Sequence, residues 1–354
     1  MILNLDLTAL VEQIWAWFDP TRFGLDSAEA LDLMTRLVCV PLILGGLEQL
    51  WLRRELGRGG LLDWHLTSMH VATRPLDRVL RSRVARGLLT PRGTIGLGLL
   101  LAVSASALAV VPRFAPLAVV ALLAHVALGK RHHQSVEGSD DMIMVLLGVT
   151  VLRGLSADPL VQHVAVAFVA AQICLSYLTA GLSKTQGREW WSGAAMPRTM
   201  STEYFGHRPT AKILWRFRFA AIGLSWVTFL WESTFVLAIV APPRVALAAV
   251  CVALGFHLGC AVTMHLGAFT WAFAATYPCF LVANATIVDT VPVVGRLTIG
   301  LGALATIAGL GGFFAGQAIA GPVRVPVPPP RTLPAIASKP KQAASDTLAI
   351  PIRS

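Results

Sequence analysis

Residues 160–191 read "LVQHVAVAFVAAQICLSYLTAGLSKTQGREWW". The part from Leu160 to Leu182 is apolar and long enough to cross a bilayer, which takes roughly 20 mostly apolar residues in a helix. It then runs into Lys184 and, a few residues on, Trp190 and Trp191. Two readings of that lysine compete. A lysine ending a spanning helix can stretch its charge out to the lipid headgroups, or it can work as a chemical group inside the protein. The tryptophans carry the same ambiguity, because indole rings settle at membrane interfaces and also make flat walls for flat ligands.

The rest of the chain shares this character. Of its 354 residues 55% are hydrophobic and 14% charged, against about 25% charged in a typical soluble domain. Lipid in place of water around the protein accounts for so few charges. The expected fold is therefore all-α, a polytopic integral membrane helix bundle of about eight or nine transmembrane helices. The candidate runs are 34–52, 94–112, 115–129, 142–155, 159–182, 219–241, 245–264, 266–285 and 297–320. Those at 115–129 and 142–155 are short for a span. Cys39, Cys174, Cys251, Cys260 and Cys279 all lie in apolar runs with no paired spacing, so they read as small hydrophobes rather than a disulfide or metal framework.

In this setting the net charge of +10 reads as loop charge, not as a nucleic-acid footprint. With nine spans, 23 of the 29 lysines and arginines gather on one side. The positive-inside rule then sets the N-terminus outside and the C-terminus in the cytoplasm, and a bacterial cell membrane is the expected location. Residues 1–20, with Trp15 and Trp17, look like an amphipathic helix lying at the interface. Residues 30–320 form the transmembrane domain. Residues 321–354 are Pro-rich without periodicity, as in an extended, disordered tail.

Ionisable groups inside a membrane are costly and mark function or a buried partner. Glu232 falls in the middle of "VTFLWESTFVLAIV", where a carboxylate must be protonated or paired. His257 sits among Leu, Gly and Phe, and its ring nitrogens need partners. His265, eight residues on, shares a face with His257 if the helix is continuous. "GKRHHQSVEGSDD" brings His132 and His133 to a helix junction, with Asp140 and Asp141 as candidate caps for the next helix. Each of these also has a structural reading, as a solvated loop residue or an interhelical hydrogen bond. No spacing signals a metal site. Phosphate-binding glycine loops and serine-hydrolase signatures are absent too. A base, a carboxylate and several histidines in an apolar bundle suit proton transfer on a lipid-soluble substrate.

Three stretches together carry a family resemblance: "SYLTAGLSKTQGREWWSGAAM", "WESTFVLAI" and "GFHLGCAVTMHLGAFTWAFAATYPCFL". They resemble the vitamin K-dependent gamma-carboxylase family and, more broadly, bacterial proteins with the HTTM (horizontally transferred transmembrane) domain, over roughly residues 125–285. The resemblance implies an HTTM-like domain within residues 30–320. It implies that Lys184 is the base that deprotonates a hydroquinone, with Ser183 standing where the family has a first lysine. Reaction with O2 would then yield an epoxide and a strong oxygen base. The implied cofactors are a reduced quinone (a naphthoquinol or quinone-like substrate) and O2, with no metal.

On the same reading His257 occupies the family's Phe-His position, with Glu232 as its candidate partner. His132 or His133 would lie near the quinone oxygen, and Trp190, Trp191 and Tyr177 would line the ring. Only the Pro-rich tail follows the bundle here, so carboxylation of a peptide glutamate is not expected. The implied partners are the lipid bilayer, a quinone-like small molecule and a peptide or small-molecule second substrate, with no nucleic acid. Two other readings stay open. One is a non-catalytic membrane factor for maturation of, or immunity to, a secreted peptide. The other is a proton-coupled transporter, for which Glu232 speaks and the lack of an inverted repeat does not.

Overall fold

Prolines and a few capping side chains set where the helices begin, in a computed structural model that describes residues 24–64, 87–88, 90–132, 138–203 and 205–320. Helix α1, Ser27–Trp51, opens on a reciprocal cap. The Glu29 amide donates to the Asp26 carboxylate at 2.8 Å, and the Asp26 amide donates to the Glu29 carboxylate at 3.1 Å. Helix α2, Pro91–Val110, is capped by the Thr90 hydroxyl, which accepts from the Gly93 amide at 3.1 Å. Helices α3, Ala115–Arg131, and α4, Gly138–Leu155, follow. Helix α5, Pro159–Thr185, is capped by Asp158, which accepts from the Leu160 amide at 2.8 Å. Proline in the first turn suits a position whose N–H would be unsatisfied anyway.

Three short helices, α6 (Arg188–Trp191), α7 (Ala195–Met200) and α8 (Arg208–Arg216), connect α5 to the second half of the bundle. Helix α9, Arg218–Thr234, continues as a 3-10 stretch, Phe235–Val240. Then come α10, Pro243–Met264; α11, Gly267–Ala274; α12, Tyr277–Thr290; and α13, Val293–Ala320. Helices α1 to α4 pack as successive hairpins, α5 packs on α9 and α12, and α11 and α12 close against α1. There is no strand among the described residues.

The expected membrane character is plain in the outer surface. Among the described residues seven segments are long and apolar enough to cross a membrane, the first Ser27–Arg54 and the last Val293–Ala315. Helices α3 and α4, at 17 and 18 residues, are the two runs that read as short in the sequence. Large apolar side chains such as Leu123, Phe168, Val227, Leu258 and Leu301 stand exposed around the bundle, a surface that water would not tolerate over such an area. The chain is an integral membrane protein. The expected interfacial helix at 1–20, the tail at 321–354 and His133 lie outside the described residues.

Two features show how the bundle satisfies its polar groups without water, as hydrocarbon surroundings demand. Where α9 tightens into the 3-10 stretch, the Asn284 amide from α12 donates to the carbonyls of Ala238, Ile239 and Ala241 at 3.2, 2.9 and 2.9 Å. At the end of the bundle where α1 begins, Asp32 receives Arg153 at 2.7 Å and Arg113 at 3.0 Å. Arg153 is turned inward and only 4% exposed.

Helices α1 and α2 cross backbone to backbone. A Cβ placed on Gly46 would run into the Gly98 carbonyl and Ala102, and one on Gly98 into Gln49 and the Gly46 carbonyl. Small residues at such a crossing let van der Waals packing replace a hydrophobic drive that lipid does not supply. Gly46→Val is therefore expected to cost at least about 1–3 kcal/mol through overpacking, read as a lower unfolding temperature in detergent. Gly96→Val, two residues from Gly98 and on the exposed side of α2 with open space around it, is the matched control and should change little.

Candidate functional site

The inward face of α5 carries Tyr177, Gly181, Leu182 and Thr185, all buried. Gly181 fixes what can stand opposite, because a Cβ there would collide with the backbone nitrogen and hydroxyl of Ser233. Its absence lets α9 close on α5, and Glu232, the residue before Ser233, comes to face Lys184. The Lys184 Nζ lies 2.5 Å from Glu232 Oε2 and donates to the Ala180 carbonyl at 3.3 Å. The lysine side chain is 19% exposed and the carboxylate 5%.

This geometry resolves the ambiguity of the opening stretch. Lys184 does not reach outward from the end of its helix. After α5 the chain turns back along α9, with Trp191 packed on Phe229 and Trp226 at centroid distances of 5.1 and 5.2 Å. Further along, Gly193 sits against Ile222 in a left-handed conformation, φ 74°. Trp191 Nε1 donates to the Thr185 carbonyl at 2.8 Å, which pins the helix end. Trp190 places its ring 5.3 Å from the Lys184 Nζ, within the range of a cation–π contact. The two tryptophans thus divide the work, one wedged between helices and one facing the lysine.

About two turns before Lys184 on the same helix, Tyr177 begins a second polar cluster. Its hydroxyl is 2.7 Å from His257 Nε2 and 3.1 Å from the Tyr277 hydroxyl. Phe269 and Phe273 pack on the imidazole at 4.9 and 4.5 Å between centroids, and His257 is 1% exposed. Its Nδ1 has no hydrogen-bond partner among the described residues. Thr270 donates its hydroxyl to the His257 carbonyl at 2.8 Å and so ties α11 to α10.

Two sequence expectations are corrected here. The partner of Glu232 is Lys184, and the partner of His257 is Tyr177. His257 and His265 also share no continuous helical face, because α10 ends at Met264 and His265 takes the left-handed conformation, φ 59°. Tyr277 was not singled out in the sequence. A signal existed, since the chain has only three tyrosines and two of them meet at this histidine.

Two cavities flank α11. One, of about 770 Å³, is walled by apolar side chains including Leu254, Leu258 and Leu281, with the buried Tyr277 at its edge. The other, of about 580 Å³, mixes apolar side chains with Glu48, His125, His132 and Asp140 and lies where α1, α3 and α4 meet the break between α10 and α11. His132 belongs to this second cavity, hydrogen-bonded through Nε2 to Gln49 Oε1 at 2.8 Å. Burial, with the Arg131 guanidinium beside it, pushes this imidazole down to about 4, so it is neutral at pH 7. Lys184 is not among the residues that line this cavity.

Fold and site together define a polytopic membrane protein with a buried lysine–carboxylate pair and a buried tyrosine–histidine cluster at its centre. Residues 151–284 match the family model of the HTTM domain. The match takes in α5, α9, α10 and α11, and hence Lys184, Glu232, Tyr177, Tyr277 and His257. No curated protein and no solved structure matches the chain.

Removing one partner of a buried ion pair strands the other charge, whereas removing both need not. Lys184→Met alone and Glu232→Gln alone are each expected to lower stability, by about 3 kcal/mol for the fully buried limit and less here because the lysine is partly exposed. Lys184→Met combined with Glu232→Gln should recover most of that loss. Thermal unfolding of the four proteins in one detergent measures the cycle, and additive losses would mean that the two groups do not interact.

Proposed function

We propose that this HTTM protein is a membrane-embedded, quinol-dependent oxygenase of the carboxylase type, with Lys184 as the base that takes the first proton. The observation that supports it most is the pairing of Lys184 with Glu232 at a partly open position between α5 and α9. A lysine ammonium has three donors. Two of them are used, on Glu232 and the Ala180 carbonyl, which leaves the third direction for a ligand oxygen beside the Trp190 ring.

Glu232 gives this lysine a route to the neutral state. In a medium of low dielectric, charge separation is expensive, so an ammonium–carboxylate pair at contact can pass its shared proton to the carboxylate. The free amine can then remove a proton from a hydroxyl held in hydrogen-bond reach. A reduced quinone would supply an acidic hydroxyl and a ring that O2 can oxidise. The orphan Nδ1 of His257 and the linked hydroxyls of Tyr177 and Tyr277 form a second polar point about two turns along α5, able to hold or relay a proton. Exclusion of bulk water by Trp190, Trp191 and Phe229 would protect strongly basic species from quenching. The proposed orientation keeps the N-terminus outside and the Lys184 end of α5 towards the cytoplasm.

The test uses the full chain in nanodiscs, a chemically reduced naphthoquinone and air, with products followed by mass spectrometry. A product one oxygen atom heavier than the quinone, absent without O2, is expected for the wild type. Lys184→Ala should lower its rate by at least about 100-fold, the usual scale of a lost general base. Glu232→Gln should lower it less. Product formation by Lys184→Ala at the wild-type rate would remove the lysine from this role. No product above autoxidation for any quinol offered would favour the peptide-maturation reading.

A further inference from the structure

Helix α8 and the start of α9 take no part in the chemistry proposed at Lys184, and their composition is one-sided. Between Glu203 and Glu232 the chain holds no acidic residue, while Arg208, Lys212, Arg216 and Arg218 follow closely on one another. In α8 the spacing of Arg208, Lys212 and Arg216 is that of successive helical turns, which sets them in a row along one face. All three are exposed. Another face of the same helix is fixed to the protein. Ala211 and Leu214 are buried in a cluster with Met200 of α7 and Ala221 of α9, and Trp215 Nε1 donates to the Ser201 hydroxyl at 3.2 Å.

A single residue, Phe217, separates α8 from α9, and its backbone lies outside the helical region at φ −110°, ψ 75°. Helix α8 therefore leaves the line of α9, whose segment Arg218–Val240 is long and apolar enough to span the membrane. A short amphipathic helix that turns off at the end of a span is placed at the level of the headgroups. Its apolar side chains suit that level. With about 3.6 residues per turn, Ile213 and Trp215 lie on the two flanks of the cationic row, and both are exposed. Phe217 and Phe219 stand exposed just beyond it, Phe219 by 90%. The Arg216 guanidinium lies 5.8 Å from the Phe217 ring centroid, so charge and apolar surface adjoin. A nucleic acid or an acidic soluble protein would engage the cations and leave these apolar side chains uncovered. A phospholipid covers both, with its phosphate at the cations and its chains along the rings.

We propose that α8 and the first residues of α9 form a binding surface for anionic phospholipids. Arg208, Lys212 and Arg216 receive the headgroups, and Ile213, Trp215, Phe217 and Phe219 enter the boundary with the acyl chains. In the orientation proposed above this surface faces the cytoplasmic leaflet, whose anionic lipids give it a negative potential.

The test reads the lipid beside α8 directly. The full chain is placed in phosphatidylcholine nanodiscs that contain a minor fraction of one lipid with brominated chains, either phosphatidylglycerol or phosphatidylcholine. Bromine quenches nearby indoles, and the difference between wild type and Trp215→Phe isolates the signal of Trp215. Brominated phosphatidylglycerol should quench Trp215 more strongly than brominated phosphatidylcholine, and the excess should shrink as sodium chloride is raised. Each of Arg208→Gln, Lys212→Gln and Arg216→Gln should lower the preference for phosphatidylglycerol about fivefold, and the triple variant should abolish it. Quenching by brominated phosphatidylcholine should persist in the triple variant, which shows that the helix is still seated. Arg208→Lys with Arg216→Lys keeps the charge and should keep the preference. Equal quenching by the two lipids would overturn the proposal, as would a preference that survives in the triple variant. So would loss of the preference to inorganic phosphate or soluble polyglutamate at an ionic strength where sodium chloride leaves it intact, since the cations would then serve a free anion or an acidic protein. None of these outcomes depends on whether Lys184 acts on a quinol.

Discussion

In the hydrocarbon of a bilayer no water is at hand for an unpaired donor or acceptor, and the arrangement of this bundle follows from that constraint. Several buried polar groups have drawn another helix towards them. Glu232 draws Lys184, and with it the end of α5, onto the middle of α9. Asp32 draws Arg113 and Arg153, so that α1 is tied to the α2–α3 connection and to the end of α4. Asn284 meets three carbonyls released by the tightening of α9 into a 3-10 stretch. The apolar contacts supply most of the buried area but little direction, because lipid is as apolar as the side chains it would displace. Polar pairs and close glycine crossings are what remain to set which helix faces which.

Much of the fold could be read from the chain for the same reason. A spanning helix is long, apolar and weakly patterned, and all nine expected runs correspond to helices. The short runs at 115–129 and 142–155 were recognisable as short, and they became a hairpin packed against longer neighbours. The starts of α1 and α2 were missed by several residues, because apolar runs beginning at 34 and 94 pass over the polar first turns that Asp26 and Thr90 cap, whereas the start of α5 at Pro159 coincides with its run. The expected runs do part at His265, but its left-handed backbone was not legible, and neither was the second break, which splits the run 266–285 into α11 and α12. Nothing in "TMHLGAF" requires a left-handed histidine, and the Gly two residues later would have served a turn as well.

The site was legible in its members and not in its pairings. Composition makes Glu232, His257 and Lys184 conspicuous, since each is an ionisable group in an apolar run. Their partners depend on the rotation of α9 and α10 about their own axes, which is set by contacts such as Gly181 on Ser233 that no one-dimensional pattern carries. Hence the carboxylate meets the lysine and the histidine meets a tyrosine. Arg153, in the last turn of the run 142–155, turns inward to Asp32 on α1, a pairing that likewise depends on how two helices sit together.

The depth of Lys184 follows from the route of the chain after α5. If the helix simply continued outward, the lysine would be free to extend into the headgroups, and its position would carry no chemical meaning. Instead residues 186–193 fold back along α9, with Trp191 wedged against Phe229 and Gly193 against Ile222. The ammonium is left under a tryptophan ring and beside a carboxylate. Snorkelling is barred by the protein itself, since the route to the headgroups is occupied by the chain that follows. A lysine confined in this way must either remain a structural ion pair or give up its proton to the carboxylate when a ligand takes the third direction. The pair alone would serve structure equally well if both groups were fully enclosed. That the lysine keeps an opening while the carboxylate does not is the asymmetry a base needs, because only the group that exchanges protons with a substrate has to be reached.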